Sequence, residues 1–128
     1  MNYLDTLNEP QLQAVKNVDG PIMVIAGAGS GKTRVLTYKI AYLMEQGIDS
    51  FNILSLTFTN KAAKEMKGRI AEIVGGSESK NVTSGTFHSV FSRILRRHAD
   101  KLGYPQNFTI YDTQDSRSLL KTIIKELK

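Results

Sequence analysis

Residues 27–33 read Gly-Ala-Gly-Ser-Gly-Lys-Thr, three glycines within five residues followed by an amine and a hydroxyl. Those types at that spacing suit one kind of chemistry. Glycines let backbone N–H groups turn toward a common centre, and the start of a following helix adds its partial positive charge. A lysine placed there reaches the outer phosphates of a nucleoside triphosphate, and the next hydroxyl is a ligand for Mg²⁺. The residues expected to hold the nucleotide are therefore Ala26, Gly27, Ala28, Gly29, Ser30, Gly31, Lys32 and Thr33, with Lys32 and Thr33 nearest the reacting phosphates. The strict pattern G-x-x-x-x-G-K-[ST] asks for glycine at position 26; this chain has alanine, the smallest alternative.

Such a loop needs a strand before it and a helix after it. Residues 21–26 form a continuous apolar run behind Asp19-Gly20, which predicts a buried parallel strand. From Lys32 the pattern turns helical, with Val35, Leu36, Ile40, Leu43 and Met44 on one face and Gly47 as a stop. Upstream, Asn8 is placed to N-cap a short helix with Pro10 in its first turn. Downstream, residues 53–58 predict a second strand, and Asn60 is placed to cap a helix over 61–74 that Gly75-Gly76 ends. Residues 81–86 suggest a third, shorter strand, leading into a helix from Phe87 to about Leu102 that stops at Gly103. After Tyr104-Pro105, Asp112 is the expected N-cap of a last helix burying Leu119, Leu120, Ile123, Ile124 and Leu127. Strands alternating with helices of this length indicate an α/β fold with a parallel sheet flanked by helices, ligands sitting at the carboxyl ends of the strands.

Composition narrows the class further. A chain of 128 residues, 41% hydrophobic and 23% charged, fits one ordinary domain. It has no apolar run of membrane-spanning length and no signal-peptide pattern, so no membrane partner and a cytoplasmic location are expected. There are no cysteines, and His88 and His98 alone make no zinc site. The net charge of +5 is uneven: residues 1–50 hold 4 Lys/Arg against 5 Asp/Glu, and residues 51–128 hold 13 against 7. A surplus of that kind suits a polyanion, although composition does not separate nucleic acid from a plain solvated surface.

The stretches LNEPQLQAV, AGAGSGKTRVL, LTFTNKAAKEM and GTFHS, in this order and spacing, resemble the N-terminal portion of superfamily 1 DNA helicases of the UvrD, Rep and PcrA kind. That family commonly has alanine at the first position of the loop. The resemblance implies a P-loop NTPase of RecA-like fold, incomplete at its C-terminal end. Residues 1–103 would be the N-terminal part of the first ATP-binding domain, and 104–128 the start of the inserted helical subdomain. It implies a hydrolase that couples ATP turnover to translocation on single-stranded DNA and duplex unwinding, in DNA repair or replication. Its cofactors would be ATP and Mg²⁺; its partners, single-stranded DNA, single-strand/duplex junctions and the rest of the helicase chain.

By residue, the resemblance matches Gln11 to a glutamine that reads the adenine edge and Arg34 to an arginine that stacks on adenine. Thr57, Phe58, Thr59, Asn60 and Lys61, with Thr86, Phe87 and His88, match segments associated with single-stranded DNA. Each has a plainer alternative. Gln11 stands three residues after Asn8 and can close a capping box; Arg34 can be a solvated helix residue; Phe58 and Phe87 can be core. The cluster Arg93, Arg96, Arg97 and Lys101 suits a phosphate stripe or a solvated face, and Lys64, Lys67 and Arg69 suggest solvated positions. The adjacent acidic residues that the family uses to activate water are missing: Glu65, Glu72, Asp112 and Asp115 all fall in helices or at helix caps. A truncated first domain, inactive alone, is the expectation. A self-contained small P-loop phosphotransferase or a non-catalytic nucleotide-binding module stays open beside it, though no acceptor base or arginine-bearing lid shows in residues 34–128.

Overall fold

Side-chain caps decide where the first helices begin. In the computed structural model, which describes residues 2–127, Asn8 and Gln11 bond reciprocally and start α1 (Glu9–Lys16) with Pro10 in its first turn. The loop of residues 27–31 then leads into α2 (Lys32–Glu45), which Gly47 ends at φ +87°. A short strand β1 (Leu54–Thr57) is followed by α3 (Asn60–Val74), and β2 (Thr83–Thr86) by α4 (Phe87–Arg97). After a 3-10 turn over Ala99–Leu102, α5 (Thr113–Glu126) starts from a capping box between Asp112 and Asp115.

The two strands pair in parallel, Leu54 with Thr83 through to Thr57 with Thr86, so both deliver their chains to the same end of the sheet. Helix α3 packs on both strands and on α2. One core cluster joins Ile40, Ile53, Met66, Ile70 and Val82, and a second joins Ala14, Val15 and Val35 beneath Tyr38 and Tyr42. Lys39 of α2 donates to the carbonyls of Ala14, at 2.9 Å, and Asn17, tying the end of α1 to α2; partial burial lowers its pKa. No helix among the described residues is long and apolar enough to cross a membrane.

Contacts divide the chain into two compact units, one up to Phe91 and the other from Ser92 onward. Helix and parallel strand together make the α/β class a fact for the first unit. Besides the helix expected from Phe87 to about Leu102, which ends at Arg97 and gives way to a 3-10 turn, three sequence expectations need correction. Residues 21–26 belong to no ladder among the described residues; Met23 and Ile25 are 82% and 88% exposed. A strand that buries both faces requires neighbours on both sides, and the pair β1–β2 does not include this one. The apolar residues of α5 and its C-cap, from Leu119 to Leu127, are exposed rather than buried, since Ala99 is the buried hydrophobic residue of the second unit among those described. Third, Thr59 and not Asn60 caps α3, its hydroxyl accepting from the Ala62 N–H at 3.2 Å.

Candidate functional site

The glycine loop is shaped by its own backbone. Gly29 and Gly31 take φ of +75° and +84°, left-handed values that a side chain resists. Ser30 closes a turn onto Gly27, with its hydroxyl 2.6 Å and its N–H 3.3 Å from the Gly27 carbonyl. Gly31 is the N-cap of α2, and no side chain caps that first turn. Its N–H groups therefore remain available to an anion, at the positive end of a helix of 14 residues.

Lys32 folds back over this turn and donates to the carbonyls of Gly27 at 2.7 Å and Ala26 at 3.1 Å. The ammonium group is thus held against the loop it is expected to serve. Gln11 fills one of the two roles open to it, the capping box, and makes a further bond to the glycine loop. Its Oε1 accepts from the Asn8 N–H at 3.2 Å, and its Nε2 donates to the Ser30 carbonyl at 2.9 Å. The capping box is real, and it also fastens α1 to the glycine loop. A Cβ on Gly31 would stand 2.8 Å from that same Nε2, so a side chain there would push aside the mobile end of Gln11.

A cavity of about 390 Å³ opens on this arrangement, lined by Gln11, residues 29–34 and Arg69. A neighbouring space of about 200 Å³ shares Arg34 and Arg69 and adds Tyr38 and Glu72. Arg69 comes from α3 and is steadied by Glu65 one turn earlier, at 2.5 Å. Sequence reasoning placed Arg69 among solvated positions. The signal that would have found it is its place between Met66 and Ile70, both buried: a residue at the edge of the face that α3 turns to its neighbours.

The donor set fits a nucleotide carrying several phosphates. Two arginines, a lysine and an uncapped helix start converge on one cavity, and among the described residues no group of three His, Cys, Asp or Glu side chains is built to hold a metal unaided. A cation there would depend on phosphate oxygens and on the Thr33 hydroxyl.

The second set of candidate residues lies where β1 and β2 end. Because Thr57 pairs with Thr86, the segments Phe58–Thr59–Asn60–Lys61 and Phe87–His88 leave adjacent strands side by side. Phe58 is 91% exposed, which removes the core alternative for its ring; Asn60, Lys61 and His88 are exposed too. The threonines turn to local work. Thr57 donates to the Thr59 carbonyl at 3.2 Å, Thr59 caps α3, and buried Thr86 accepts from the Ser89 N–H at 3.2 Å. In the second unit, Arg96 lies over the Phe108 ring, 4.9 Å from its centroid, so one arginine of the basic cluster has an aromatic partner.

A glycine-rich loop opening a helix and an exposed sheet end lie on one parallel α/β unit. A family match covers nearly the whole chain: residues 7–128 fit the model of the UvrD/REP helicase N-terminal domain, and the chain belongs to that family. It is 52% identical over 127 residues to an ATP-dependent DNA helicase PcrA of Staphylococcus epidermidis, covering 98% of this chain and 17% of that relative. A protein of the same name from Staphylococcus aureus strain Mu50 is 50% identical over 123 residues, covering 95% and 17%. The chain thus spans about a sixth of the length of these relatives.

Proposed function

We propose that these residues form the nucleotide-binding part of an ATP-dependent DNA helicase, on a RecA-like sheet completed by other segments of the protein. Residues 1–103 serve as the N-terminal part of its first motor domain and 104–128 as the start of an inserted subdomain. The observation that carries this is the convergence of the glycine loop, Lys32, Gln11, Arg34 and Arg69 on one cavity beside a helix start.

Within that site the chain's own groups have separable tasks. The loop N–H groups and the start of α2 hold the phosphates, and Lys32 exchanges its bonds to the Gly27 and Ala26 carbonyls for the terminal phosphates. Thr33 offers its hydroxyl to Mg²⁺, which when bound neutralises phosphate charge. Gln11 and Arg34 bear on the base, Gln11 from an amide already oriented by Asn8 and Ser30, and Arg69 lines the same cavity from α3. Residues 57–61 and 86–88 take single-stranded DNA, with single-strand/duplex junctions the substrate of the whole protein, in repair or replication and in the cytoplasm. Because Glu65 pairs with Arg69 and, among the described residues, no group of three acidic or metal-ligating side chains is present, residues 1–128 alone leave ATP unhydrolysed.

The test compares the full-length protein with its Lys32→Ala variant for DNA-stimulated ATP hydrolysis, and residues 1–128 alone for background turnover. Hydrolysis by the full-length protein that survives Lys32→Ala would remove the assignment. Lys32-dependent hydrolysis by residues 1–128 would move it toward a self-contained enzyme.

A further inference from the structure

Three phenylalanines gather where the strands end, and the sequence motifs point to two of them. Phe58 follows β1 and Phe87 follows β2, neighbours by register. The third is Phe91, one turn along α4, whose ring lies 6.3 Å from that of Phe87 with the planes 21° apart. Their exposures are 91%, 49% and 45%, whereas Val90 next to Phe91 is 1% exposed and is the residue by which α4 enters the core. The fold has therefore anchored this helix with a valine and left two nearly parallel rings half in water. Exposed, aligned rings offer their faces to other flat rings.

The charge pattern says which kind. No Asp or Glu occurs in residues 50–64 or 79–99, the segments that carry all three rings, while Lys61, Lys64 and His88 lie among them. Acid-free segments that carry exposed aromatic rings and cations fit a polyanion that carries bases, and stacking on them is tolerant of sequence.

We infer that Phe91 extends the platform of Phe58 and Phe87 by one further base, so that single-stranded DNA continues from the sheet end along the first turns of α4. This rests on the proposal that residues 57–61 and 86–88 hold single-stranded DNA. Stacking needs the ring face, which separates it from simple apolar packing: leucine keeps the apolar bulk of Phe91 and loses the face.

The experiment measures binding of labelled oligothymidylate by fluorescence anisotropy to the full-length protein carrying Phe91→Ala, Phe91→Leu or Phe91→Trp. Phe58→Ala serves as the reference for the platform, and fluorescent ATP binding as the check of the fold. Phe91→Ala and Phe91→Leu should both weaken DNA roughly fivefold or more, the effect of one lost stacked base. Phe91→Trp should keep the affinity, and ATP binding should not move. If Phe91→Leu binds like the unaltered protein while Phe91→Ala does not, Phe91 is an apolar packing residue and the inference fails. It fails also if neither changes while Phe58→Ala weakens binding, since the platform then stops at Phe87. If Phe58→Ala has no effect either, the single-strand reading of the sheet end falls together with its extension.

Discussion

The glycine loop and the sheet end, both candidate ligand sites of the first unit, are built in opposite ways. Around the loop the polar side chains are already engaged with its backbone: Gln11 on the Ser30 carbonyl, Ser30 on that of Gly27, Lys32 on those of Ala26 and Gly27. At the sheet end the polar side chains of Thr59 and Thr86 cap helices, and the apolar rings are what faces water. The first is a preorganised electrostatic cradle in which one group holds the next; the second is a row of separate contacts. A single substitution should therefore damage the loop steeply and specifically, and the sheet end by increments.

The largest contrast should come from Lys32→Ala. Its ammonium group bonds the loop's carbonyls and is exposed, so the fold should survive its removal. A lost charge-assisted bond is worth ~1.5–3 kcal/mol, and the terminal phosphates should feel it most. Titration with ATP and ADP should show the triphosphate losing roughly ten- to a hundredfold on that scale and the diphosphate distinctly less. Equal losses would mean that the ammonium group orders the loop instead of meeting the outer phosphates, and the contrast with the sheet end would weaken.

Phe58→Ala should come next. One stacked base is worth ~1–3 kcal/mol, and because the ring is uncharged the salt dependence of single-strand binding should stay as it was. Lys61→Ala should do the reverse, lowering affinity modestly and reducing the salt slope by about one. Should Phe58→Ala change the slope as well, the sheet end would be a coupled site like the loop and not a row of contacts.

How much of this was readable in the sequence follows the same division. The loop was legible because its requirement is local: glycines, lysine and threonine must be consecutive for the backbone to wrap an anion, and no distant residue changes that. Asn8, Asp112 and the stop at Gly47 were legible for the same reason. Arg69 was not, since it reaches the cavity only after α3 has packed on α2, with 34 residues between it and Arg34. The apolar run at 21–26 signals that a strand needs partners, yet it carries no information about which strands supply them. The apolar face of α5 reads the same way: five large residues recur at helical spacing, and spacing fixes the face while packing decides whether it is covered. Thr59 and Asn60 are both good capping residues side by side, so backbone geometry alone chose between them.

The smallest effect tests whether Arg69 belongs to the cradle or only borders it. Glu65 and Arg69 form an i,i+4 pair with side chains 51% and 44% exposed, and pairs so open to water add only ~0.3–0.5 kcal/mol to stability. Glu65→Gln keeps the side-chain shape and removes the charge, so the thermal midpoint should hardly move. The affinity for ATP should hold or rise slightly, because an arginine freed from a carboxylate presents more of its positive charge to an anion in the shared cavity. Arg69→Ala should weaken ATP in the same assay while leaving single-strand binding alone. If Glu65→Gln instead weakens ATP as much as Arg69→Ala does, the carboxylate is orienting the guanidinium group, and the ordered network of the loop reaches across to α3.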